Sequence, residues 1–325
     1  MDRIDVELTG EKRAADKRER GKSLQAWFHV KGYRKKGFWG LVWILPGFAL
    51  LLVFSYYPPI KAIIYSFTDW NGTFSHWNDF ENFVMMFTDA KFWDSFKNAL
   101  ILTASGMIFG NLMTVVLAEL LHNCVFKKIS SAFRFLFILP VLVPGIVTNL
   151  LWANIIFSAT PDGLINSILI SLNLIEEPLT WYYGSETVLY SLILTGFPWV
   201  AGTSFLIYLA GLQNIPESIV EAARLDGINT FKRLIYIDFP YLLGQIKYFL
   251  ILGVIQGIQN YNLQFLITRG GPNSASMVPG YYIYYMAFNN GKFGYACAIG
   301  VFLFLILFVF TLYTNKRMRT TEDIQ

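Results

Sequence analysis

Six long apolar segments constrain the fold of this chain more than any other feature of its sequence. A helix of about 20 residues crosses the roughly 30 Å hydrocarbon core of a bilayer. Each of the six segments reaches that length, whereas the apolar run from Leu164 to Ile175 is too short to span. We therefore predict an all-α membrane protein with six transmembrane helices, at about residues 38–57, 97–121, 132–157, 186–211, 241–265 and 293–314. Pro140, Pro144 and Gly145 predict a kink or an unwound turn in the third of these helices.

The composition supports a membrane protein. Hydrophobic residues make up 54% of the 325 positions and charged residues only 15%, which is not typical of the two soluble domains that this length would allow. No small-residue cleavage motif follows a short apolar stretch near the start, so we expect no cleaved signal peptide. Cys124 and Cys297 are far apart and the three histidines share no zinc-ligand spacing, so we expect no disulfide framework, no metal site and no bound cofactor.

The distribution of Lys and Arg predicts the orientation of the chain. With a cytoplasmic amino terminus, the inner segments carry twenty of these residues and the outer segments carry five. Because positive charge accumulates in cytoplasmic loops, we predict cytoplasmic N- and C-termini and a cytoplasmic loop between helices 4 and 5. The net charge of +4 then reflects topology, and we expect no nucleic-acid partner.

The loop between helices 4 and 5, from Gln213 to Pro240, is the most polar block in the second half of the chain. Pro216 suits a first helical position and Gly227 stops the helix that follows. Asn229 or Thr230 can cap a second helix, which Pro240 ends. The pattern predicts a helix, a glycine turn and a helix, and a solvated connector would show the same pattern. A DNA-binding helix-turn-helix is disfavoured because the loop carries only three basic residues.

The same loop contains E-A-A-x-x-x-G, then nine residues, then I-x-F-P, beginning at Glu221. This pattern resembles the EAA motif of integral-membrane permeases of binding-protein-dependent ATP-binding-cassette (ABC) importers, with Phe239 at a position where the family usually has Leu. In that family the loop is a coupling helix that fits a cleft of the cytoplasmic ATPase subunit. The resemblance assigns that role to Glu221, Ala222, Ala223, Asp226 and Gly227.

The fifth apolar segment ends in five amide side chains followed by L-I-T-R-G-G-P. These closing residues resemble the L-T-x-G-G-P of maltose and glycerol-phosphate permeases, which implies a carbohydrate substrate. Unpaired amides are unfavourable in hydrocarbon. We therefore expect these side chains either to face a substrate pathway or to form interhelical hydrogen bonds with the partner permease. The candidates for the pathway are Gln256, Gln259, Asn260, Tyr261 and Trp199, with Asn262 and Gln264 nearer the outer mouth.

The resemblance covers residues 37–319 and implies a permease domain there, with the coupling loop at 213–240. Residues 1–36 are expected to form a cytoplasmic basic tail and interfacial segment, and residues 320–325 a short cytoplasmic tail. By the same resemblance, the partners are a second, different permease subunit, two ATPase subunits and an extracellular sugar-binding protein. The expected location is the bacterial plasma (inner) membrane, as a multi-pass protein.

The sequence offers no means of using ATP directly. The G-K-S at residues 21–23 is not a P-loop, because Asp16 stands where the first glycine belongs. We therefore expect no enzymatic activity here, with ATP and Mg bound by the partner subunits. A secondary transporter remains an alternative: the spans hold no carboxylate deeper than Glu119 and Glu186, which argues against proton coupling but leaves sodium open. Import of a non-sugar solute by the same machinery, and a membrane scaffold, also stay open.

Overall fold

The computed structural model describes residues 33–200 and 202–318, and these residues form helices and connecting turns without a β-strand. The prediction of an all-α protein is confirmed for this part of the chain. The basic tail predicted at 1–36, apart from its last four residues, and the tail at 320–325 lie outside the described residues. The chain divides into two units, with the boundary between Lys61 and Ala62.

The helices follow one another along the chain and are joined by turns and irregular segments of different lengths. We number them α1 (Tyr33–Leu51), α2 (Tyr57–Tyr65), α3 (Glu81–Thr88), α4 (Ala90–His122), α5 (Lys127–Ile138), α6 (Gly145–Leu151), α7 (Leu164–Ser171), α8 (Val188–Leu194), α9 (Gly202–Gln213), α10 (Glu217–Leu225), α11 (Thr230–Arg233), α12 (Phe239–Tyr241), α13 (Leu243–Gln259), α14 (Pro279–Tyr284) and α15 (Phe293–Arg317). π-Helical turns occupy Leu52–Tyr56, Trp152–Ile156, Leu234–Asp238, Gln264–Thr268 and Tyr285–Asn289.

Three helices among the described residues are long and apolar enough to cross a membrane, namely Val42–Tyr65, Ala90–His122 and Phe293–Arg317. Two bent pairs also qualify if each pair is one span. Lys127–Leu142 meets Gly145–Ile156 at 94°, and Thr230–Tyr241 meets Leu243–Thr268 at 66°. The first bend falls at Val143 and Pro144, in the region where the sequence predicts a kink. The described part of the chain therefore contains three to five spans by length and composition.

The remaining predicted span, at 186–211, is divided into α8 and α9. Between them Gly196 has a φ of +86° and Trp199 a φ of +57°, which no helix can contain, and Pro198 lacks an amide hydrogen. The interruption could not be predicted from the apolar composition of this segment. Composition indicates whether a segment suits an apolar medium, but it does not indicate whether the helix is continuous. The count of six spans and the cytoplasmic position of the termini stay predictions.

The long helix α4 organises the packing of the second unit, because it lies along both α9 and α13. One apolar cluster joins α4 to α13, α14 and α15, around Phe92, Tyr282 and Ile299. A second joins α4 to α9 near Phe205 and Tyr208. The faces of one helix therefore contact α13, which carries Gln256 and Gln259, and α9, which follows Trp199.

The short helix α7 packs on its own chain through a buried asparagine. Asn166 is fully buried, donates to the carbonyl oxygens of Ser158 and Leu179, and accepts a 3.0 Å hydrogen bond from Trp181 Nε1. Ile165 and Leu169 contact the apolar cluster around Phe157 and Trp181. This arrangement fits a helix held against the rim of the protein.

Candidate functional site

The polar loop folds as a helix, a turn and a second helix, as the sequence predicts. Pro216 precedes α10 with φ −56° and ψ 131°, so its missing amide hydrogen removes no helical bond. Asn229 caps α11, because its Oδ1 accepts from the Lys232 amide at 2.9 Å.

The turn between these helices depends on Gly227. Its φ is +69°, a conformation that is unfavourable for residues with a Cβ. The Ile228 amide donates to the Ala223 carbonyl at 3.0 Å, and the Gly227 amide donates to the Arg224 carbonyl at 3.1 Å. This pair of bonds is a Schellman motif, which satisfies carbonyls that the end of a helix leaves open. The glycine of the EAA motif is therefore required by local backbone geometry.

The predicted coupling residues do not all lie on one surface. Glu221, Ala222, Asp226 and Gly227 are exposed, whereas Ala223 is buried. Consecutive helical residues differ by about 100° in direction, so the two alanines serve different surfaces. Ala222 faces outward beside Leu225, which is 89% exposed, and Ala223 faces the protein itself.

The second helical stretch of the loop ends at Tyr241, one residue beyond Pro240 and close to the predicted end. The chain passes from α11 through the π-helical turn Leu234–Asp238 into α12, and it bends at Leu242 before α13 begins. Pro240 stands in the first turn of α12, where a missing amide hydrogen is tolerated. The loop is therefore connected to α13 through helical backbone that is interrupted by one bend of 66°.

A polar cavity of about 630 Å³ lies where α4, α9, α13 and the interruption at 195–200 meet. Its wall combines apolar residues with hydroxyl and amide side chains, which are Thr103, Asn111, Thr114, Thr195, Thr203, Ser204, Tyr248, Gln256, Asn260 and Gln264. Donors and acceptors distributed around a partly apolar space suit a small polyhydroxylated molecule. No group of three His, Cys, Asp or Glu that could hold a metal ion occurs among the described residues.

The structure brings three of the five pathway candidates to this cavity. Trp199, Gln256 and Asn260 line it. Gln259 is exposed and does not line it, and Tyr261 stacks on Tyr284 with ring centroids 6.5 Å apart. A contact with substrate stays a prediction for all five residues.

The distribution of the amides follows from a break in the helix. Asn260 has φ −72° and ψ 131°, so α13 ends at Gln259. The side-chain Oδ1 of Asn260 accepts from the Asn262 amide at 3.0 Å and stabilises the new direction. The assumption of 100° per residue therefore fails beyond Gln259, and Gln264 lines the cavity although the sequence predicts it nearer the outer mouth.

Trp199 is held rigidly at the cavity wall. Its Nε1 donates to the Ile193 carbonyl at 2.7 Å, and its ring stacks on Phe109 with centroids 5.2 Å apart and planes at 23°. A positive φ is uncommon for a residue other than glycine, and such conformations concentrate at functional sites. The arrangement presents a fixed aromatic ring beside Gln256 and Asn260.

Sequence reasoning missed the residues that bring α4 against α13. A Cβ at Gly257 would lie 2.5 Å from Thr103 Oγ1, and a Cβ at Gly253 would lie 3.4 Å from Met107. The G-x-x-x-G spacing of these two glycines was the available signal, because small residues four apart allow close helix contact. Tyr208 was also missed: its hydroxyl donates to Asn111 Oδ1 at 3.1 Å.

Comparison with known proteins identifies relatives that match most of this chain. It is 31% identical over 301 residues to the probable ABC transporter permease protein YesP of Bacillus subtilis, covering 91% of this chain and 95% of that protein. It is 27% identical to the multiple sugar-binding transport system permease protein MsmF of Streptococcus mutans, covering 88% and 97%.

A solved structure shares the fold. A chain of a bacterial alginate ABC transporter, crystallised with an alginate pentasaccharide-bound periplasmic protein, superposes with a TM-score of 0.77 at 22% identity, covering 89% of this chain and 97% of that one. The family model described as binding-protein-dependent transport system inner membrane component matches residues 106–320, which include α9 to α15, the loop and most residues of the cavity wall. On this match and on the identity to YesP, the chain belongs to the family of binding-protein-dependent transport system inner membrane components.

Proposed function

We propose that this chain is the permease subunit that forms half of the membrane pathway of a carbohydrate ABC importer, with an oligosaccharide as substrate. The observation that carries the proposal is the polar cavity, in which Gln256, Asn260 and Trp199 face a common space. Amide groups can donate to and accept from sugar hydroxyls, and an aromatic ring can contact the C–H face of a sugar ring.

The exposed loop supports the coupling part of the proposal. Glu221, Ala222, Asp226 and Gly227 are accessible at the turn between α10 and α11, so a cytoplasmic ATPase subunit can contact them without disturbing the core. Ala223 would contribute by holding α10 against the rest of the protein. The loop continues through α12 into α13, whose residues Gln256 and Gly257 line the cavity. Motion of the loop would therefore reach the cavity through helical backbone.

The names of similar proteins support a saccharide substrate. MsmF is named for a multiple sugar-binding transport system, and the structural relative belongs to a transporter of alginate, an acidic polysaccharide. The described residues that line the cavity include no Lys or Arg. A cavity without a cation suits a neutral sugar better than a polyanion.

The remaining parts of the assembly follow from the same proposal. The working unit comprises this chain, a second and different permease, two ATPase subunits that bind ATP and Mg, and an extracellular sugar-binding protein. The crystallised alginate transporter carries a periplasmic protein of this kind. The chain would cross the bacterial plasma (inner) membrane six times, with both termini and the loop 213–240 in the cytoplasm.

The test is purification from the native host through an affinity tag on this chain. Mass spectrometry of the complex should identify one other permease and an ATPase. The complex is then reconstituted into liposomes with its binding protein, and uptake of a panel of radiolabelled neutral and acidic oligosaccharides is measured with and without ATP. ATP-dependent uptake of a neutral oligosaccharide supports the proposal. Absence of an ATPase from the complex contradicts an ABC importer, and uptake of amino acids but no saccharide contradicts the carbohydrate assignment.

A further inference from the structure

A cluster of charged side chains lies at the end of α4, where the loop meets the transmembrane helices. Glu119 comes from α4, Arg233 from the end of α11, and Asp238 from the π-helical turn after it. Glu119 and Asp238 are buried, at 8% and 1% exposure. Asp238 belongs to the loop 213–240 but is buried, and neither carboxylate lines the polar cavity, so the proposed function has not used them.

Arg233 is paired with Asp238. Its Nε lies 3.3 Å from Oδ1 and 3.2 Å from Oδ2 of the carboxylate. The Arg233 side chain is 14% exposed and the Asp238 side chain 2%, so solvent screens this pair weakly. Breaking a buried ion pair from one side is strongly unfavourable unless another partner replaces the lost one.

Glu119 is the neighbouring acceptor that is incompletely bonded. Its Oε2 accepts from Asn123 Nδ2 at 3.0 Å, but its buried Oε1 has no hydrogen-bond partner among the described residues. Glu119 is close enough to Arg233 and Asp238 to interact electrostatically with both. A buried oxygen without a donor is destabilising, and a second conformation that supplies a donor would remove that cost.

Space for such a conformation separates α4 from the loop. An apolar groove of about 970 Å³ has Glu119 and Asn123 on one wall and Phe231, Leu234 and Ile235 on the other. The residue between these apolar positions, Arg233, moves with them. A shift of the loop into the groove would bring the guanidinium towards α4.

The helix that carries Glu119 also forms a wall of the cavity. Asn111 lines the cavity eight residues before Glu119, a distance of about 12 Å at 1.5 Å per residue. Thr103 lines it two turns further on. A force applied to α4 at Glu119 would therefore reach the cavity wall through one rigid helix.

We propose that Glu119 is a positioning residue of the transport cycle, the second acceptor to which Arg233 transfers from Asp238 when the loop moves. In the present arrangement the guanidinium is bound to Asp238, within the loop's own segment. In the other it is bound to Glu119, which ties the loop to α4 and shifts the cavity wall. This device rests on the proposed function, and it explains why a buried carboxylate is left with an open oxygen.

The test follows a reporter cysteine in the cavity. Thr203 is exposed and lines the cavity, so Thr203→Cys is placed in a Cys124→Ser, Cys297→Ser background and purified as the complete complex. Its labelling rate with a water-soluble maleimide is measured without nucleotide and with ATP, Mg and vanadate. We expect the two rates to differ by about tenfold with Glu119 present, and to become equal in Glu119→Gln while the ATPase stays bound. Glu177→Gln, an exposed glutamate of the outer loop, is the matched control and should retain the difference.

The outcomes separate this inference from the proposed function. If the complex with Glu119 contains no ATPase or shows no nucleotide-dependent labelling, the proposed function fails. If that complex responds and Glu119→Gln responds equally, only the role of Glu119 is overturned. If Glu119→Gln does not assemble, Glu119→Asp decides, because it keeps a carboxylate at this position but shortens the side chain by one methylene and so withdraws the acceptor from Arg233. Assembly with equal labelling rates supports the transfer, whereas lost assembly or a full response shows that Glu119 has no such role.

Discussion

The hydroxyl of Tyr295 donates a 2.7 Å hydrogen bond to Asp89 Oδ2, although the two residues lie 206 positions apart. The Tyr282 hydroxyl donates to the same oxygen at 2.6 Å. Asp89 Oδ1 accepts from the Lys91 amide at 2.9 Å and so caps α4. One carboxylate therefore fixes the beginning of α4 to both α14 and α15.

This contact predicts a pH-dependent stability. Burial acts to raise the pKa of Asp89, but the hydroxyls of Tyr282 and Tyr295 and two backbone amides outweigh it, so the pKa lies below its ordinary value of 3.8. Because the folded-state pKa is the lower one, the stabilisation is present above about pH 4 and is lost as the pH falls through the folded-state value. Tyr295→Phe should lower the free energy of unfolding by about 1 kcal/mol at neutral pH, with a smaller difference at pH 3.

The measurement is thermal unfolding of the purified protein in detergent between pH 3 and pH 7. Tyr313→Phe is the control, because Tyr313 is 61% exposed at the far end of α15. If Tyr295→Phe lowers the free energy of unfolding equally at pH 3 and at pH 7, the contact does not depend on the charge of Asp89.

The second prediction concerns topology and depends on the bias of basic residues. Ser185, in the loop predicted to be external, and Ser218, in α10, are both exposed. In a cysteine-free background, Ser185→Cys should react with an impermeant thiol reagent applied to intact cells, and Ser218→Cys should react only after the membrane is opened. The reverse result would show that the chain has the opposite orientation in the membrane. The loop could then not contact a cytoplasmic ATPase.

The third prediction distinguishes a specific role of the Gly227 turn in ATPase binding from the general effect of backbone strain. Gly227→Leu places a side chain at φ +69° with no atom within 4 Å of the new Cβ, so the conformational strain of about 1–3 kcal/mol is local. The leucine would project where the ATPase subunit is expected to contact the loop. The variant should insert and pair with the other permease, but lose its ATPase subunits and sugar uptake.

Gly291 provides a matched control for this substitution. It has a φ of +68° and equally open surroundings, and it lies in the turn before α15. Gly291→Leu carries the same strain at the end of the protein opposite the loop. It should retain the ATPase in a pull-down assay and retain uptake. Normal uptake with Gly227→Leu, or equal losses in both variants, would exclude a specific role of the loop turn.

The sequence was informative where a pattern is local. Apolar length located the segments that contain α4 and α15, and the glycine in E-A-A-x-x-x-G marked the turn that Gly227 forms with its positive φ. Helix caps and turns depend on residues a few positions apart, so the sequence alone restricts the cap of α11 to Asn229 or Thr230, and Asn229 makes the bond.

The sequence was uninformative where long-range contacts or breaks in a helix determine the position of a residue. The interruption at 195–200 lies in an apolar segment, and the break at Asn260 brings Gln264 into the cavity. The bond between Tyr295 and Asp89 joins residues from opposite ends of the second unit, and no spacing rule relates them. Local propensity cannot specify which of many polar side chains meet across such distances.

The last prediction concerns the cavity wall and distinguishes a substrate pathway from hydrogen bonds that only hold the two permeases together. Gln256→Ala and Asn260→Ala each remove an amide that faces the cavity. If these amides bind a sugar hydroxyl, each substitution should reduce uptake at a limiting sugar concentration about fivefold to tenfold, which corresponds to one lost hydrogen bond of about 1 kcal/mol or slightly more. The purified complex should contain the same subunits as before.

Asn262→Ala is the matched control, because Asn262 is an exposed amide two residues beyond Asn260 and does not line the cavity. Its backbone amide, which Asn260 accepts from, is retained in the variant. Interhelical contacts in membranes contribute roughly 0.6 kcal/mol on average. If the amides only hold the two permeases together, removing them should weaken subunit assembly and leave the relative uptake of different oligosaccharides unchanged. Altered preference among oligosaccharides in an intact complex therefore indicates a pathway, because a group that touches no sugar has no means of distinguishing one sugar from another.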